Sequence, residues 1–388
     1  MKNNNPFYDP TLKRRHISDK IFKSIALSAL LVSVAFLVIF FTDIISKGLL
    51  SFRQTYIELP VTYNKDTIAD SSYAIDEKHY ELVSRAWYRD MPKYAAANPQ
   101  LINKVQNEWV LADDEVDQYI KGHQNSLSED QKLMVDELMK QGKIDQKLNI
   151  IFLTRGDSKI PENSGFLSSV IGSMLTILVC IAFSFPIGVM SAIYLEEFKN
   201  DNKLSQIIEI NINNLAAVPS ILFGLLGLAV FINFFGLPRS SPLVGGLTLA
   251  LMTLPVIIVS SRTALRGVPA SIRQAAYGLG LTKLQVVKDH VLPLGLPGIM
   301  TGSIIGIARA MGETAPLIIV GMIAFIPDIP TNFTQAATVM PAQIFTWAGM
   351  PEGAYVERVS GAIMILLGVL MTMNAAAIYM RKKYEIKW

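Results

Sequence analysis

The sequence has almost no cysteine, few histidines and little charge. Of its 388 residues only Cys180 is a cysteine, and it lies in the middle of an apolar run, so no disulfide can form within the chain. The four histidines, His16, His79, His123 and His290, are scattered without ligand spacing, and no metal site is expected. No G-x-x-x-x-G-K-[ST] loop occurs, so the chain is expected to bind no cofactor itself, and any use of ATP falls to a partner. Charged residues make up only 17% of the chain against roughly 25% in a typical soluble domain, while 51% are hydrophobic. A net charge of +3 gives no support to nucleic-acid binding.

What is present instead is a set of long apolar runs. A bilayer core about 30 Å thick needs about 20 apolar residues per spanning helix. Runs at 21–41, 166–194, 207–235, 243–261, 300–327 and 359–380 meet that length, which predicts about six spans in contact with lipid. The first run follows Lys13, Arg14, Arg15, Lys20 and Lys23. It is too long for a signal-peptide core, and no small-residue cleavage site follows Phe40-Phe41-Thr42-Asp43, so it reads as a retained span. Lys and Arg then set the orientation. One set of segments holds Lys2 and the basic residues just named, then Lys199 and Lys203, then Arg262, Arg266, Arg273, Lys283 and Lys288, and finally Arg381, Lys382, Lys383 and Lys387. The short segments on the other side hold only Arg239 and Arg358, so both termini are expected in the cytoplasm.

Residues 46–164 have another composition, with 15 Lys and Arg against 19 Asp and Glu, a net −4, and with Trp87, Tyr88 and Trp109 among them. They read as a folded outer domain. Ser128-Glu129-Asp130-Gln131 has the form of a capping box opening a helix, with Leu133, Val135, Leu138 and Met139 as its stripe and Gly142 as its stop. The segments 53–63 and 148–153 are rich in strand formers and are expected to pair as the two end strands of a small α+β domain. The division is therefore 1–45, a basic N-terminus with the first span; 46–164, the insertion; and 165–388, the remaining spans.

Between the fourth and fifth runs lies the loop RTALRGVPASIRQAAYGLGLTKLQVVKDHVLPLGLPG. Ser271-x-x-Gln274 reads as the opening of one short helix closed by Gly280, and Thr282-x-x-Gln285 as the opening of a second that ends at Leu292-Pro293. A plain connection is usually 2 to 8 residues, so this length suggests a docking surface.

The loop resembles the cytoplasmic signature of bacterial ABC importer permeases, E-A-A, three residues, Gly, nine residues, Ile, one residue, Leu-Pro. Here the positions are Gln274-Ala275-Ala276, Gly280, His290 and Leu292-Pro293, with Gln in place of the first Glu and His in place of Ile. The segments AIYLEEF (192–198), NLAAVPSILFGLLG (214–227), LALMTLPVIIVSSRTAL (249–265) and IARAMGETAPLIIVG (307–321) are similar to phosphate-transport permeases of the PstA type. The resemblance implies an all-α permease fold of about six transmembrane helices carrying a periplasmic α+β insertion. It also implies a coupling helix at about 271–280 whose Gln274, Ala275, Ala276 and Gly280, with Leu292 and Pro293, engage an ATPase. Implied partners are a second permease, two ATP-binding subunits and a periplasmic phosphate-binding protein. The implied role is a non-enzymatic transport subunit in the bacterial inner membrane. Sulfate or molybdate is the alternative cargo, and a membrane sensor the alternative of another class. The docking loop favours transport, since a sensor needs no such segment between spans.

The fifth run carries Arg309 and Glu313, four residues apart and so able to share a helix face. A charge at the bilayer centre costs about 2.5 to 3.5 kcal/mol even on a lenient scale, which places the pair against protein or a watery pathway. Two readings stand. Arg309, whose fork suits phosphate oxygens, handles the anion with Glu313 holding it, or the two form a buried packing pair. The resemblance adds Thr314 and Arg262 as pathway residues, although Arg262 also suits a positive-inside anchor. Pro219 and Pro255 are expected inside spans, as bends or packing kinks, and Asn211, Asn213 and Asn214 as helix-packing hydrogen bonders.

Overall fold

The computed structural model describes residues 11–199, 203–323 and 325–383. Lys2 and Lys387, part of the charge asymmetry, lie outside the described residues. The described chain is a bundle of long apolar helices with a small α+β insertion between the first two spans.

Helix α1 (Leu12–Ser51) runs 40 residues, about 60 Å at 1.5 Å per residue, and so extends well past a bilayer core at both ends. The insertion follows at once: β1 (Arg53–Tyr63), α2 (Lys65–Ala69), α3 (Arg85–Ala97), β2 (Lys104–Leu111), α4 (Asp114–Ile120), α5 (Glu129–Lys140), β3 (Ile144–Leu148) and α6 (Ile150–Thr154). The membrane part then comprises α7 (Leu167–Ile193), α8 (Lys203–Ala216), α9 (Ser220–Gly227), α10 (Pro242–Arg266), α11 (Ala270–Gly278), α12 (Lys283–Val286), α13 (Leu292–Gly312), α14 (Ala315–Ile319), α15 (Met340–Ala348) and α16 (Gly353–Lys383). Five helical stretches are long and apolar enough to span, and a bent pair makes a sixth.

Helix α10 is the axis of the bundle, packed between α7 and α13, while α1 lies against α16. Small residues set the close approach. A Cβ at Gly188 of α7 would stand 2.7 Å from Ile257 of α10, and one at Gly302 of α13 would stand 2.2 Å from Ser260.

Two expectations about the spans are corrected. The run 207–235 is not one helix. It breaks after Ala216, and the two halves meet at 105°, with Pro219 at the break as the extended N-cap of α9 and not inside a helix. Its ring donates no hydrogen bond, so the chain can leave α8 and restart. Pro255, by contrast, is buried inside α10, and Asn211 bonds the Ile207 carbonyl of its own helix at 2.8 Å. The run 300–327 is also not one helix. Its helical span begins earlier, at Lys283, and stops at Gly312. Leu292-Pro293 therefore does not end a helix. A π turn at Val287–Val291 widens the register just before the proline, which absorbs its missing N–H and lets α12 run on into α13.

In the insertion, the sheet order is β2-β1-β3 and both pairings are antiparallel, with Ile57 opposite Val110 on one side and Ile144 on the other. Alternation buries Ile57, Leu59, Val61 and Tyr63 of β1 on one face, where Met91, Val116, Val135 and Leu138 close the core. The Ser128–Gln131 capping box forms as expected, and Gly142 takes φ +70° beyond the helix end. Leu133 and Met139 are exposed, so only Val135 and Leu138 carry the stripe inward.

The second end strand is Ile144–Leu148, and 148–153 is corrected to the turn of helix α6. Asn149 explains the switch. Its side chain accepts from Phe152 N at 2.9 Å as an N-cap and donates to the Ser51 carbonyl at 3.0 Å, tying α6 to the end of α1.

The insertion is bonded to the membrane part through buried polar contacts. Lys121, 2% exposed, pairs with Glu357 of α16 at 2.8 Å and with Asp117 at 2.7 Å. Arg358 donates to the Ser164 carbonyl at 2.7 Å, and Trp347 donates to Asp157 at 3.0 Å. Glu357→Ala would leave the Lys121 ammonium with less than its buried partner set. It should cost about 3 to 5 kcal/mol and lower the melting temperature of the purified chain, while Asp43→Ala, at an exposed pair with Lys47, should not.

Glu162, 3% exposed at this junction, is raised to about 7, chiefly by burial and also by the charge of Asp114, against which the Ser84 hydroxyl and Arg358 act. Burial likewise raises Asp113 to about 6 and Asp114 to about 7. The folded state thus holds protons that the unfolded chain releases at lower pH. The contribution of these three groups to stability is full below about pH 4 and is lost as pH rises toward 7. Melting curves across that range should show the decline, and Glu162→Gln should flatten it.

Candidate functional site

The break between α8 and α9 leaves a small cleft between the broken pair, α10 and α13. Leu215, Ala216, Val218, Ser220 and Phe223 line it from the broken pair, Met252, Thr253 and Val256 from α10, and Gly306 and Arg309 from α13. Its one charged lining group is Arg309, whose side chain keeps 65% of its surface exposed.

Arg309 sits in the last turn of α13, where the helix dipole favours a cation. Glu313 is not on the same helical face, because α13 ends at Gly312 and Glu313 is its extended cap with ψ 128°. The helix stops at the Met311-Gly312-Glu313-Thr314 turn, and the chain restarts as α14 with the Thr314 carbonyl accepting from Ile318 N at 3.0 Å. The two charges still meet, Arg309 Nε to Glu313 Oε1 at 3.5 Å. That is longer than the 2.7–2.9 Å of a strong charge-assisted bond, so the guanidinium keeps most of its donors for another acceptor.

Arg262 does not line this cleft. It is buried at 6% exposure and pairs with Glu209 at 2.9 Å and Glu196 at 3.4 Å. Arg266 shares Glu196 at 2.9 Å, and Lys199 shares Glu209 at 3.0 Å. Arg273 of α11 holds Glu197 at 2.6 Å and also donates to the Val268 and Leu265 carbonyls at 2.7 and 2.9 Å. The sequence reading missed these three glutamates as structural partners. The signal available was the adjacent Glu196-Glu197 pair of AIYLEEF, at the same membrane side as the basic loop.

In the loop itself, α11 begins after Pro269 with no side-chain cap, so the Ser271–Gln274 box is corrected: Ser271 lies inside the first turn, past the N-cap position from which a hydroxyl reaches the unpaired N–H groups. The Thr282–Gln285 box forms. Gln274 and Ala275 are exposed and Ala276 is buried against the end of α10. Gly280 takes φ +79°, with open space where a Cβ would stand, so the turn needs glycine for its backbone and not for crowding. Leu292 and Pro293 are half-buried at the start of α13. Leu279 is 81% exposed and Leu284 65%, which leaves two large apolar side chains uncovered beside Gln274 and Ala275.

Residues 184–381 match the family described as binding-protein-dependent transport system inner membrane component. Residues 9–91 and 70–129 match one described as a domain of unknown function (DUF3333). The chain is 32% identical over 225 residues to the phosphate transport system permease protein PstA 1 of Mycobacterium tuberculosis (strain CDC 1551 / Oshkosh), which covers 57% of this chain and 73% of the relative. It is 31% identical over 222 residues to PstA of Yersinia pestis, covering 57% and 74%. Among solved structures it is similar to a chain of the inward-facing MetNI methionine ABC transporter, with a TM-score of 0.46, 17% identity, and coverage of 56% and 97%. The family match takes in the broken span, the charged turn and the exposed loop together over half of the sequence, and the chain belongs to the binding-protein-dependent transport system inner membrane components, as a permease subunit of an ABC-type importer.

Proposed function

We propose that this chain moves inorganic phosphate across the bacterial inner membrane as one half of a paired pore. The carrying observation is the Arg309 guanidinium, facing the cleft at the helix break with only a loose carboxylate contact. A planar fork of donors suits a tetrahedral oxyanion. Relatives named as phosphate transport permeases support the choice of cargo. Glu313 holds the arginine and Thr314 lines the same turn, while Arg262, bound to Glu196 and Glu209, braces the inner end of α10.

On this reading both termini and the α10–α13 loop are cytoplasmic, and residues 46–164 form a periplasmic domain on the side where a phosphate-binding protein delivers substrate. The loop around 271–280 enters a groove of an ATP-binding subunit, one of two, through Gln274, Ala275 and the uncovered Leu279 and Leu284. A second, related permease completes the pore. The α1 span, whose most apolar stretch buries nothing within the chain, faces lipid or that partner. Uptake of radiolabelled phosphate in cells lacking this chain, restored by its expression, tests the reading. Competition by excess sulfate or molybdate stronger than that by unlabelled phosphate would reassign the cargo.

A further inference from the structure

The insertion contains a cavity of about 310 Å³ that transport through the bundle does not use. It opens at the β2 edge of the sheet, between that edge, α3 and the segment that leads from α6 toward α7. Five aromatic side chains line it, Tyr56, Tyr63, Trp87, Tyr94 and Trp109, together with Asp90, Glu108 and Arg155. Tyr94 is 51% exposed and Trp109 38%, so these rings stand in water and are not core: the packed side of β1 is the one carrying Ile57, Leu59 and Val61.

The charges decide which ligand fits. An anion would meet the Asp90 and Glu108 carboxylates. A cation would compete with groups the chain already supplies, since Arg155 holds Asp90 at 3.2 Å and the Lys147 ammonium lies over the Trp109 ring at 4.2 Å and the Tyr56 ring at 5.4 Å. A neutral ligand is not repelled by the carboxylates, and the ring of Tyr94 and the part of Trp109 that Lys147 leaves uncovered remain open to it. Tyr63 donates to Glu108 Oε2 at 2.7 Å, which leaves Oε1 to accept from a ligand. Arg155 uses Nη1 for Asp90 and Asn163, which leaves its other nitrogens to donate. Ring faces carry the negative side of the aromatic quadrupole and attract weakly positive C–H groups. Flat rings beside a few convergent polar atoms are the usual make-up of a small-molecule site.

We infer that this cavity binds a saccharide, with one sugar face stacked on Trp109 or Tyr94 and its hydroxyls bonded to Glu108 and Arg155. The ligand would bridge the sheet edge and the α6–α7 segment.

The test uses the full chain in a detergent without a sugar headgroup, titrated in a calorimeter with maltotriose, tri-N-acetylchitotriose, choline chloride and sodium phosphate. Saturable heat is expected with at least one of the two oligosaccharides, weakened about tenfold or more by Trp109→Ala and by Glu108→Gln. Tyr94→Ala provides a second, more exposed ring variant should Trp109→Ala lower the melting temperature. Saturation by choline or phosphate alone would overturn the inference. So would saccharide binding untouched by all three substitutions, or no saccharide heat up to about 50 mM, a Kd that corresponds to less than about 2 kcal/mol of binding.

Discussion

Replacing Arg309 by glutamate should lower phosphate uptake by about a hundredfold while the protein still reaches the membrane and assembles. The side chain is 65% exposed and its one ionic contact is loose at 3.5 Å, so little packing depends on it. A carboxylate in the last turn of α13 opposes the helix dipole, and that costs only about 0.3 to 1 kcal/mol. The added repulsion from Glu313 acts at a partly solvated site and is of similar size. Neither is enough to unfold a bundle held by α7, α10 and α13. A hundredfold in rate corresponds to about 2.7 kcal/mol, which is within reach when an attraction on the passing anion turns into repulsion at close range. Arg309→Lys keeps the charge and loses the fork, and should fall between the two. Initial uptake rates should be read beside co-purification with the partner subunits. Near wild-type uptake by an assembled Arg309→Glu protein would remove the anion role and leave Arg309 as a capping charge.

The expectation that met its limit most clearly at this site was the helical pair. Spacing of four placed Arg309 and Glu313 together, and they are together, but through a chain turn after Gly312 and not along one helix face. Hydropathy could not see that turn, because Ala315, Pro316 and Leu317 continue the apolar run after the helix has stopped. The same blindness hid the break before α9. Ala216, Ala217, Val218 and Pro219 are all apolar, and an average over them reports length, not direction. Where a polar residue had a local partner, the sequence was more informative. Ser128 with Gln131 and Thr282 with Gln285 form their boxes because both members lie within one turn. Ser271 with Gln274 has the same spelling, yet Pro269 takes the entry position and leaves Ser271 two residues too far inside. The glutamates that hold Arg262, Arg266 and Arg273 are about 50 to 75 residues distant in sequence, and no periodicity reports such contacts.

The second large effect is expected at Arg273, the only link of its kind between α11 and the end of α7 among the described residues. Its guanidinium makes two kinds of contact: ionic, to Glu197 after α7, and neutral, to the Leu265 and Val268 carbonyls that end α10. The Leu265 carbonyl, in the last turn of α10, also accepts from Val268 N at 3.2 Å, and the Val268 carbonyl lies just past the helix end, so Arg273 reinforces the turn that closes α10. One side chain thus fastens the exposed loop to two membrane helices, and movement of the loop under an ATPase would pass through it. Arg273→Met keeps the length and drops every donor. It should reduce uptake about thirtyfold or more, while ATP hydrolysis by the assembled complex continues, because the docking face of Gln274, Ala275, Leu279 and Leu284 is left in place. The charge exchange Arg273→Glu with Glu197→Arg makes the test sharper. It restores an ion pair but sets a carboxylate against the two carbonyls, so a link that depended on the ion pair alone would recover and one that depends on the carbonyls would not. We expect uptake to stay low in the exchanged protein. Recovery to more than half of wild type would mean that the Glu197 pair suffices, and uptake falling together with hydrolysis would mean that Arg273 serves assembly of the complex and not transmission through it.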